Sequence, residues 1–463
     1  MTAIALTSCI IALHLFGALA ALHAIRHART PQGAIGWVLG LLLLPYVTLL
    51  PYLYLGSSRF LGYHAGHPAP VPQMVPDAVD AAELDPGCAR FAAISALQRR
   101  PFRGGHRLHL LIDGEHAFGT MLEAMASARH CLLVQFFVIH DDALGRRLQQ
   151  VLLQRAAAGV RVCVLFDGVG SHALPRHYVE ALRAGGVAIH RFATHRLRNR
   201  LQLNFRNHRK IVVVDGARGF VGGLNVGDEY MGRRPPLSPW RDTMLELRGP
   251  AVADLQQLFA DDWRWITGQL PPMLEAPPAE GHASALVVAA GPADRLETGS
   301  LFFTAAIHAA RRRLWLSTPY FVPDTAVRSA LQLAVLRGVD VRVLIPARPD
   351  HHTVFLASTL HAHHAVRAGV GVFRYQPGFL HQKALLIDDD AAAIGSLNLD
   401  SRSFRLNFEV GALVVEPAFA AEVEAMLAAD FSRAVAIDED EYRRAPMARR
   451  IAMHVARLFD PLL

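Results

Sequence analysis

The chain has 463 residues, of which 52 % are hydrophobic, and a net charge of +7. The hydrophobic share excludes a disordered chain, and four cysteines with no Cys-x-x-Cys pair exclude a disulfide scaffold, a zinc ribbon and a thioredoxin-type site. The charged fraction of 19 % lies below the roughly 25 % of ordinary soluble domains, so the chain carries apolar sequence beyond a normal core.

Two uncharged apolar stretches open the chain. Residues 1–25 and 30–58 contain no Asp, Glu, Lys or Arg. Each is longer than the roughly 20 apolar residues that cross a bilayer. We therefore predict a transmembrane helical hairpin over residues 1–58, with spans at about 3–25 and 34–56. A cleaved signal peptide does not fit, because a basic n-region is missing and a second apolar run follows.

Prolines and arginines bear on the geometry and the orientation of this hairpin. Pro45 and Pro51 are expected to kink the second span, which a transmembrane helix tolerates. Arg26 and Arg29 in the connecting turn favour a cytoplasmic turn, and Arg59 on the other flank partly offsets them. A cytoplasmic turn would put the rest of the chain outside, so the orientation stays open at this point.

The remainder of the chain repeats itself. Residues 156–165 match residues 334–344, because in both an amphipathic helix ends at a glycine and a β-branched strand begins. Phe136-Phe137-Val138 likewise matches Tyr320-Phe321-Val322. This alternation predicts an α/β fold with a mostly parallel sheet and helices on both faces.

Lysine is almost absent from this basic chain. Of 47 basic residues, only Lys210 and Lys383 are lysines, and all the others are arginines. The planar guanidinium of arginine cannot replace a compact ammonium that acts as a point charge beside one small anion. The two lysines therefore indicate where the chemistry takes place.

Both lysines lie in the same motif. The first copy consists of His208-Arg209-Lys210, Asp215 and Gly222-Gly223-Leu224-Asn225, and the second consists of His381-Gln382-Lys383, Asp388 and Gly395-Ser396-Leu397-Asn398, with identical spacing. Apolar residues between Lys and Asp predict a buried strand in each copy. Because His and Lys are two residues apart in extended chain, their side chains point to the same side.

This inventory suits a phosphodiester. Histidine titrates near pH 6.5, so one imidazole can attack phosphorus while the other carries a proton. Two ammonium groups and two asparagine amides can surround the anion. Metal-assisted hydrolysis would require clustered carboxylates, which the motif does not supply, so we expect no metal and no cofactor.

The double H-x-K-x4-D-x6-G-[SG]-x-N motif resembles the phospholipase D superfamily. Across the whole chain the resemblance is to the bacterial cardiolipin synthases, and it includes Gly227–Tyr230, Thr318–Pro323 and Asn398–Ser403. It implies two α/β/α sandwich halves that share one pseudo-two-fold active site, and a covalent phosphatidyl-histidine intermediate. The predicted organisation is then the hairpin, a linker over 59–105, a first half over 106–275 and a second half over 276–463 with a basic amphipathic C-terminal segment.

The resemblance also implies a role for each site residue. We expect a catalytic set of His208 as nucleophile, His381 as general acid and base, and Lys210, Lys383, Asp215 and Asp388, of which the two aspartates fix neighbouring groups without touching phosphorus. The groups expected on the phosphate oxygens are Lys210, Lys383, Asn225 and Asn398, with Ser396 as a further hydroxyl donor. Asp242 is expected to orient His208, and Glu409 is expected to orient His381. Gly223, where the second copy has Ser396, departs from the pattern.

The implied reaction converts two phosphatidylglycerols into cardiolipin and glycerol. A phospholipase D-type hydrolase with the same site, or a phosphodiesterase or nuclease, is the alternative, although the two spans argue against nucleic acid as a partner. Phosphatidylethanolamine as the donor stays open. The expected location is the bacterial inner membrane, with several spans and a cytoplasmic catalytic part. The C-terminal segment, residues 443–459, either lies on the membrane or packs on the domain.

Overall fold

The computed structural model describes residues 2–28, 31–56, 60, 63, 86–192, 204–275 and 277–463. The chain divides into two units, one made of Met1–Pro68 and Ala193–Phe205, the other of Ala69–Phe192 and Arg206–Leu463. Residues 64–85 of the predicted linker lie outside the described residues.

The N-terminal unit contains helices α1 (Thr2–His27), α2 (Pro31–Leu43) and α3 (Pro45–Leu55). Within the described part of the chain, only the helical segment Ile4–His27 is by itself long and apolar enough to cross a membrane. The predicted second span is divided at Leu44, because Pro45 cannot donate a backbone hydrogen bond. The expected two-helix hairpin is therefore a three-helix unit whose second arm is broken at a proline.

Side chains of this unit are apolar on their exposed surfaces. Leu15, Phe16 and Leu50 are each more than 60 % exposed, which suits hydrocarbon far better than water. Inside the unit, His23 Nδ1 lies 2.7 Å from the Tyr52 hydroxyl oxygen. The helices thus join through a small polar and aromatic contact and present apolar side chains outward, as expected of a membrane anchor.

Two sets of elements make up the second unit. The first set is α4 (Pro86–Ala89), α5 (Ala92–Gln98), β1 (Arg103–Ile112), α6 (Asp113–Ala126), β2 (Cys131–Phe136), α7 (Ala143–Ala157), β3 (Arg161–Asp167), α8 (Arg176–Ala184), β4 (Ala188–Phe192), β5 (Arg206–Asn207), β6 (Ile211–Val214), β7 (Arg218–Gly222), β8 (Trp240–Arg241), β9 (Thr243–Arg248) and α9 (Val252–Thr267). The second set is β10 (Ala283–Ala290), α10 (Thr298–Ala309), β11 (Arg313–Ser317), β12 (Phe321–Val322), α11 (Thr325–Leu336), β13 (Asp340–Pro346), α12 (His352–Val366), β14 (Gly371–Tyr375), β15 (Phe379–Leu380), β16 (Ala384–Ile387), β17 (Ala391–Gly395), β18 (Leu399–Asp400), α13 (Ser401–Arg405), β19 (Asn407–Val415), α14 (Pro417–Ser432), β20 (Ala434–Ala436), α15 (Glu441–Arg444) and α16 (Met447–Arg457).

One sheet runs through both halves. Its order is β20–β14–β13–β11–β16–β17–β19–β10–β1–β9–β7–β6–β2–β3–β4, and β5 pairs with β19. The first half has the order β1–β9–β7–β6–β2–β3–β4, and the second repeats it as β10–β19–β17–β16–β11–β13–β14. The α/β fold and its internal duplication are therefore confirmed in the strand order itself.

The expected mostly parallel sheet is wrong. Strands β2, β3 and β4 are parallel, as are β11, β13 and β14. Every other pairing along the main order of the sheet is antiparallel. The reason lies in the motif, because β6 turns directly into β7 through Asp215 and Gly216, which both have positive φ angles, of 49° and 63°. So short a turn can join only antiparallel neighbours.

A shared core joins the halves on one face of the sheet. Helices α9 and α14 both lie there, and apolar side chains from strands of both halves contact them; examples are Phe259, Trp263, Val213, Met426 and Leu386. Each half buries a separate core on the opposite face. The result is a helix–sheet–helix sandwich whose central layer continues from one half into the other.

Part of the predicted linker is folded. Phe91, just before α5, and Ile94, in its first turn, have no exposed surface and belong to the core of the second half. Strand β1 also begins before residue 105, at Arg103. The proline-rich composition upstream hid this short helix, whose apolar side chains bind it to the domain.

Candidate active site

Each motif histidine follows a short strand that pairs with the other half. β5 runs parallel to the start of β19, and β15 runs parallel to β8. The backbone N–H of His208 donates to Phe408 O at 2.9 Å, and that of His381 donates to Arg241 O at 2.8 Å. Because the residues after Phe408 and Arg241 are Glu409 and Asp242, each histidine is placed beside an acid of the opposite half.

The two histidine–carboxylate pairs cross between the halves. His208 Nδ1 lies 2.9 Å from Glu409 Oε2, and His381 Nδ1 lies 2.6 Å from Asp242 Oδ2. A carboxylate can only accept, so we assign a hydrogen to Nδ1 of each ring, which leaves Nε2 with a free lone pair. The predicted pairing, Asp242 with His208 and Glu409 with His381, is the reverse and is wrong. It assumed that each acid serves the histidine of its own half.

Both lysines are buried beside the histidines. Lys210 has no exposed surface, and Lys383 is 4 % exposed. Lys210 Nζ donates to His208 O at 2.7 Å, and Lys383 Nζ donates to His381 O. Burial lowers the pKa of Lys210 well below its ordinary value, and it lowers the pKa of Lys383 to about 8. His and Lys therefore do share one site, as their spacing predicts.

The histidines themselves are held neutral. Burial is the largest cause that lowers the pKa of His208 to about 4, and Lys210 and Lys383 add to it, whereas Glu409 opposes the shift. The pKa of His381 also falls to about 4, through burial, Lys383 and Lys210, against the effect of Asp242. Each lysine thus acts electrostatically on the ring of the other half, so the two motifs lie close together.

The two motif asparagines have different surroundings. Asn225 Oδ1 accepts from the Val138 N–H at 3.2 Å, and its Nδ2 lies 3.2 Å from the Tyr230 hydroxyl oxygen. Asn398 Oδ1 is buried and has no hydrogen-bond partner among the described residues. The two amides are therefore not held in the same way, and the expected contact of each with a phosphate stays a prediction.

Ser396 has another partner than the predicted phosphate. Its hydroxyl donates to Glu409 Oε2 at 2.5 Å and accepts from the Val410 N–H at 3.0 Å. Ser403 and Asn407 also donate to Glu409. Because the one hydroxyl hydrogen is already engaged, the prediction of Ser396 as a phosphate donor is wrong, and the residue positions Glu409 instead.

Gly223 is explained by the same geometry. A Cβ at this position would lie 2.1 Å from Asp242 Oδ1. Any residue other than glycine would therefore clash with Asp242 unless the acid moved. In the second half, Ser396 fills the corresponding position beside the longer Glu409. Glycine in place of serine in the first motif therefore leaves the space that Asp242 needs to reach His381.

The motif aspartates lie at the far end of their strands. Asp215 accepts backbone hydrogen bonds from Arg129, His130 and Cys131 at 2.7–2.9 Å. It stands five residues beyond Lys210, roughly 16 Å along extended chain at about 3.3 Å per residue. Such a carboxylate anchors a loop. The predicted role of Asp215 in fixing neighbouring groups is therefore confirmed, and only its place in the catalytic set is wrong.

Asp388 plays the same structural part in the second half. It accepts from the backbone N–H groups of Arg311, Arg312 and Arg313 and pairs with Arg90 at 2.7 Å. Burial alone would raise the pKa of Asp388, but these donors outweigh it and hold the value below the ordinary one. Its grouping with the catalytic residues is wrong for the same reason.

We expect Asp388→Asn to lower the free energy of unfolding by about 2–3 kcal/mol, because charge-assisted hydrogen bonds to the backbone are lost. Turnover per folded molecule should change little. Urea unfolding of the detergent-solubilised protein, followed by circular dichroism, measures the first quantity. Asp389→Asn is the control, since Asp389 is half exposed and pairs only with arginines. Unchanged stability with a hundredfold slower turnover would contradict the anchoring role.

Sequence reasoning missed two buried aspartates behind the motifs. Asp262 on α9 accepts from Arg209 at 3.0 Å and from Gln135 at 2.7 Å. Asp430 on α14 accepts from Gln382 at 2.9 Å and pairs with Arg241. Both hold the residue between His and Lys, and a signal was present, since the two helices occupy matching places in the duplication.

These contacts define the class of the protein. The site contains two H-x-K motifs, and the histidine of each is bound to a carboxylate of the opposite half. With the two buried lysines beside them, this is the site of a duplicated phospholipase D-type enzyme. Among the described residues, no group of three or more His, Cys, Asp and Glu side chains is arranged to hold a metal ion.

Comparison with known proteins identifies the family. The family model described as "Cardiolipin synthase, PLD-like domain" matches residues 121–263 and 303–431. Cardiolipin synthase A of Pseudomonas aeruginosa (strain LESB58) is 53 % identical, over 98 % of this chain and 95 % of the relative. Cardiolipin synthase A of Pseudomonas putida (strain GB-1) is also 53 % identical, over 97 % of each chain. The chain belongs to the phospholipase D-like cardiolipin synthases, and the family expected from the motifs is confirmed.

A solved structure supports the fold independently. Phosphatidylserine synthase of Haemophilus influenzae Rd KW20 matches with a TM-score of 0.61 at 13 % sequence identity, over 81 % of this chain and all of that chain. At so low an identity the likeness concerns the fold alone, which is the duplicated sandwich described above.

Proposed function

We propose that this protein is a cardiolipin synthase that transfers a phosphatidyl group from one phosphatidylglycerol to a second, giving cardiolipin and glycerol without a metal or cofactor. The observation that carries the proposal is the crossed pair of histidine–carboxylate contacts around two buried lysines. Membership in the cardiolipin synthases supports the same reaction.

In the first step, Nε2 of His208 attacks the phosphorus of the donor lipid. The bond from phosphorus to the glycerol oxygen breaks, and His381 gives its proton to that oxygen. Both rings are neutral in the free site, because their pKa values lie at about 4. A bound phosphodiester adds a negative charge that favours the protonated ring, so His381 takes up the proton it needs from solvent when the substrate binds.

In the second step, the covalent phosphatidyl-histidine meets the acceptor lipid. His381, now neutral, takes the proton from an acceptor hydroxyl, whose oxygen attacks phosphorus. The P–N bond to His208 breaks, and cardiolipin leaves. Lys210, Lys383 and the two asparagine amides hold the phosphate oxygens, and Glu409 and Asp242 hold the rings through Nδ1 and stabilise their charged forms.

An assay with labelled phosphatidylglycerol tests this function. The purified full chain in mixed micelles should release glycerol and form cardiolipin. Formation of phosphatidic acid without cardiolipin would show that the enzyme hydrolyses the lipid instead of transferring its phosphatidyl group. Cleavage of added DNA would indicate a nuclease. A parallel reaction with labelled phosphatidylethanolamine identifies the donor, since release of ethanolamine would show that phosphatidylethanolamine also donates a phosphatidyl group.

We expect Lys383→Arg to lower kcat by about 10²-fold, because the larger guanidinium misplaces a donor aimed at the phosphate. With a pKa of about 8, Lys383 loses its charge as the pH rises through that value. The wild-type kcat/KM should therefore fall above about pH 8, and Lys383→Arg should show a smaller decline, because arginine stays charged whereas Lys210 still titrates.

The surface exchange Arg146→Lys is the matched control for this variant, since Arg146 is 70 % exposed. It should leave both the rate and the pH profile unchanged. Full activity of Lys383→Arg, or the same alkaline decline in both proteins, would contradict a role for the charged lysine.

The proposed location is the inner membrane, with several spans in residues 1–58 and a cytoplasmic catalytic part. One long apolar helix and the exposed apolar side chains of the N-terminal unit support anchoring. The orientation stays a prediction. Ala28→Cys places a thiol in the connecting turn, and a membrane-impermeant maleimide should label it from the periplasm. Labelling only after lysis would mean that the connecting turn faces the cytoplasm, which is the opposite orientation. The wild-type chain controls for labelling of the native cysteines.

A further inference from the structure

A cavity lies at the C-terminal end of the catalytic unit, apart from the residues of the active site. Its volume is about 250 Å³, and α12, α15 and α16 contribute to its wall. Its polar lining consists of His363, His364, Arg367, Tyr442, Arg443 and His454, with Glu439 as the only acid. A cavity of this size, slightly below the usual volume of ligand pockets, admits a small anionic group.

One buried group in the wall lacks a partner. His363 is 4 % exposed, and its Nδ1 is buried with no hydrogen-bond partner among the described residues. Buried polar atoms in proteins are nearly always hydrogen-bonded, so an unpaired one calls for an explanation. His363 Nδ1 itself has no exposed surface, so a ligand in the cavity would complete its hydrogen bonding only after the imidazole ring turns toward the cavity.

The wall of the cavity carries two arginines and one carboxylate, Glu439, and this positive balance favours an anion. Arg367 makes no ion pair among the described residues, and the pair of Arg443 with Asp440 is long, at 3.3 Å, and largely exposed. The pKa of His364 falls to about 4, first through burial and then through His361, Arg457 and other cations nearby. Guanidinium groups bind phosphate through paired hydrogen bonds, so a phosphate group suits this wall.

The helix that supplies His454 also carries an uncovered apolar stripe. Met453 and Ala456 of α16 are buried against the domain. On another side of the helix, Met447, Ile451, Val455 and Leu458 are 66 %, 55 %, 49 % and 77 % exposed. An apolar stripe next to arginines is the pattern of a helix that lies at a lipid surface. The C-terminal segment therefore packs on the domain and still presents apolar side chains outward.

We propose that this cavity binds the phosphate of an anionic phospholipid, separately from the catalytic centre, while the acyl chains lie along the apolar stripe of α16. Arg367 and Arg443 contact the phosphate, and His363 turns its ring toward the headgroup to make one hydrogen bond with it. The site holds a lipid without reacting with it, since neither motif contributes a residue to its wall.

Hydrogen exchange of the full chain tests this site. The protein in phosphatidylcholine–detergent micelles is compared with and without phosphatidylglycerol, and with inorganic phosphate alone. Phosphatidylglycerol should slow exchange in residues 352–367 and 439–458. In the double variant Arg367→Gln/Arg443→Gln, half-maximal protection there should require about 30-fold more lipid, since each of the two charges near an anionic lipid contributes about 1 kcal/mol.

Protection of residues 206–215 and 381–388 reports separately on the catalytic centre and should be the same in both proteins. Arg146→Gln, an exposed arginine in the first half, is the matched control and should behave as wild type. Equal protection of the C-terminal segments in wild type and double variant overturns the proposal. Protection by inorganic phosphate with no further effect of lipid overturns its assignment to a phospholipid.

Discussion

His208→Asn is expected to abolish cardiolipin formation, with a loss of at least about 10⁴-fold, and to prevent any phosphatidyl-enzyme from forming. Asparagine keeps a polar side chain of similar reach but has no nitrogen lone pair that can attack phosphorus. The Nδ1 contact with Glu409, which holds the ring in the wild type, shows that Nε2 is the only nitrogen left for the attack.

His381→Asn should behave differently. It removes the proton donor for glycerol and the base for the acceptor, so both steps slow by about 10²–10⁴-fold. Because the second step also needs His381, whatever intermediate forms should persist. Incubation with phosphorus-labelled phosphatidylglycerol, an acid-free denaturing quench and gel separation should therefore show labelled His381→Asn protein and unlabelled His208→Asn protein.

His116→Asn, an exposed histidine outside the motifs, is the control for this pair and should retain wild-type turnover. Label that persists on His208→Asn and is missing from His381→Asn would exchange the two roles. Label on neither histidine variant, together with residual transfer, would remove the covalent intermediate from the mechanism.

The sequence was sufficient to predict the duplicated α/β fold and to place both histidines and both lysines in one site. A repeated spacing and the retention of lysine at Lys210 and Lys383 carried that inference, and both are visible without a structure. The hairpin turn at Asp215 that makes the centre of the sheet antiparallel was hidden, because strand direction depends on turn geometry as well as on the order of helices and strands.

The choice of acid for each histidine depends on contacts between the halves. Strands β5 and β8 have only two residues each, too short to be recognised from a pattern, yet they pair with β19 and β15 and so set which acid meets which ring. Ser396 was misjudged for a related reason, because its partner Glu409 belongs to the same half but is brought near only by the pairing of β17 with β19. Local spacing identifies the chemical groups, and long-range pairing assigns their partners.

The crossed pairing predicts which step each acid controls. We expect Glu409→Gln to impair His208 and so to reduce formation of the labelled phosphatidyl-enzyme, with a loss of turnover of about 10²–10⁴-fold. Glutamine keeps the shape of glutamate but loses the charge that favours the imidazolium. Asp242→Asn should impair His381, so that turnover falls by a similar factor while labelled enzyme accumulates, as in His381→Asn.

Comparing the label on the two acid variants separates crossed pairing from pairing within one half. Glu409→Gln should resemble His208→Asn, and Asp242→Asn should resemble His381→Asn. The opposite resemblance would mean that each acid acts on the histidine of its own half. Glu422→Gln, an exposed residue on α14, controls for loss of a carboxylate. Thermal unfolding checks that the variants are folded, because Ser396, Ser403 and Asn407 all donate to Glu409 and a glutamine amide satisfies fewer of them.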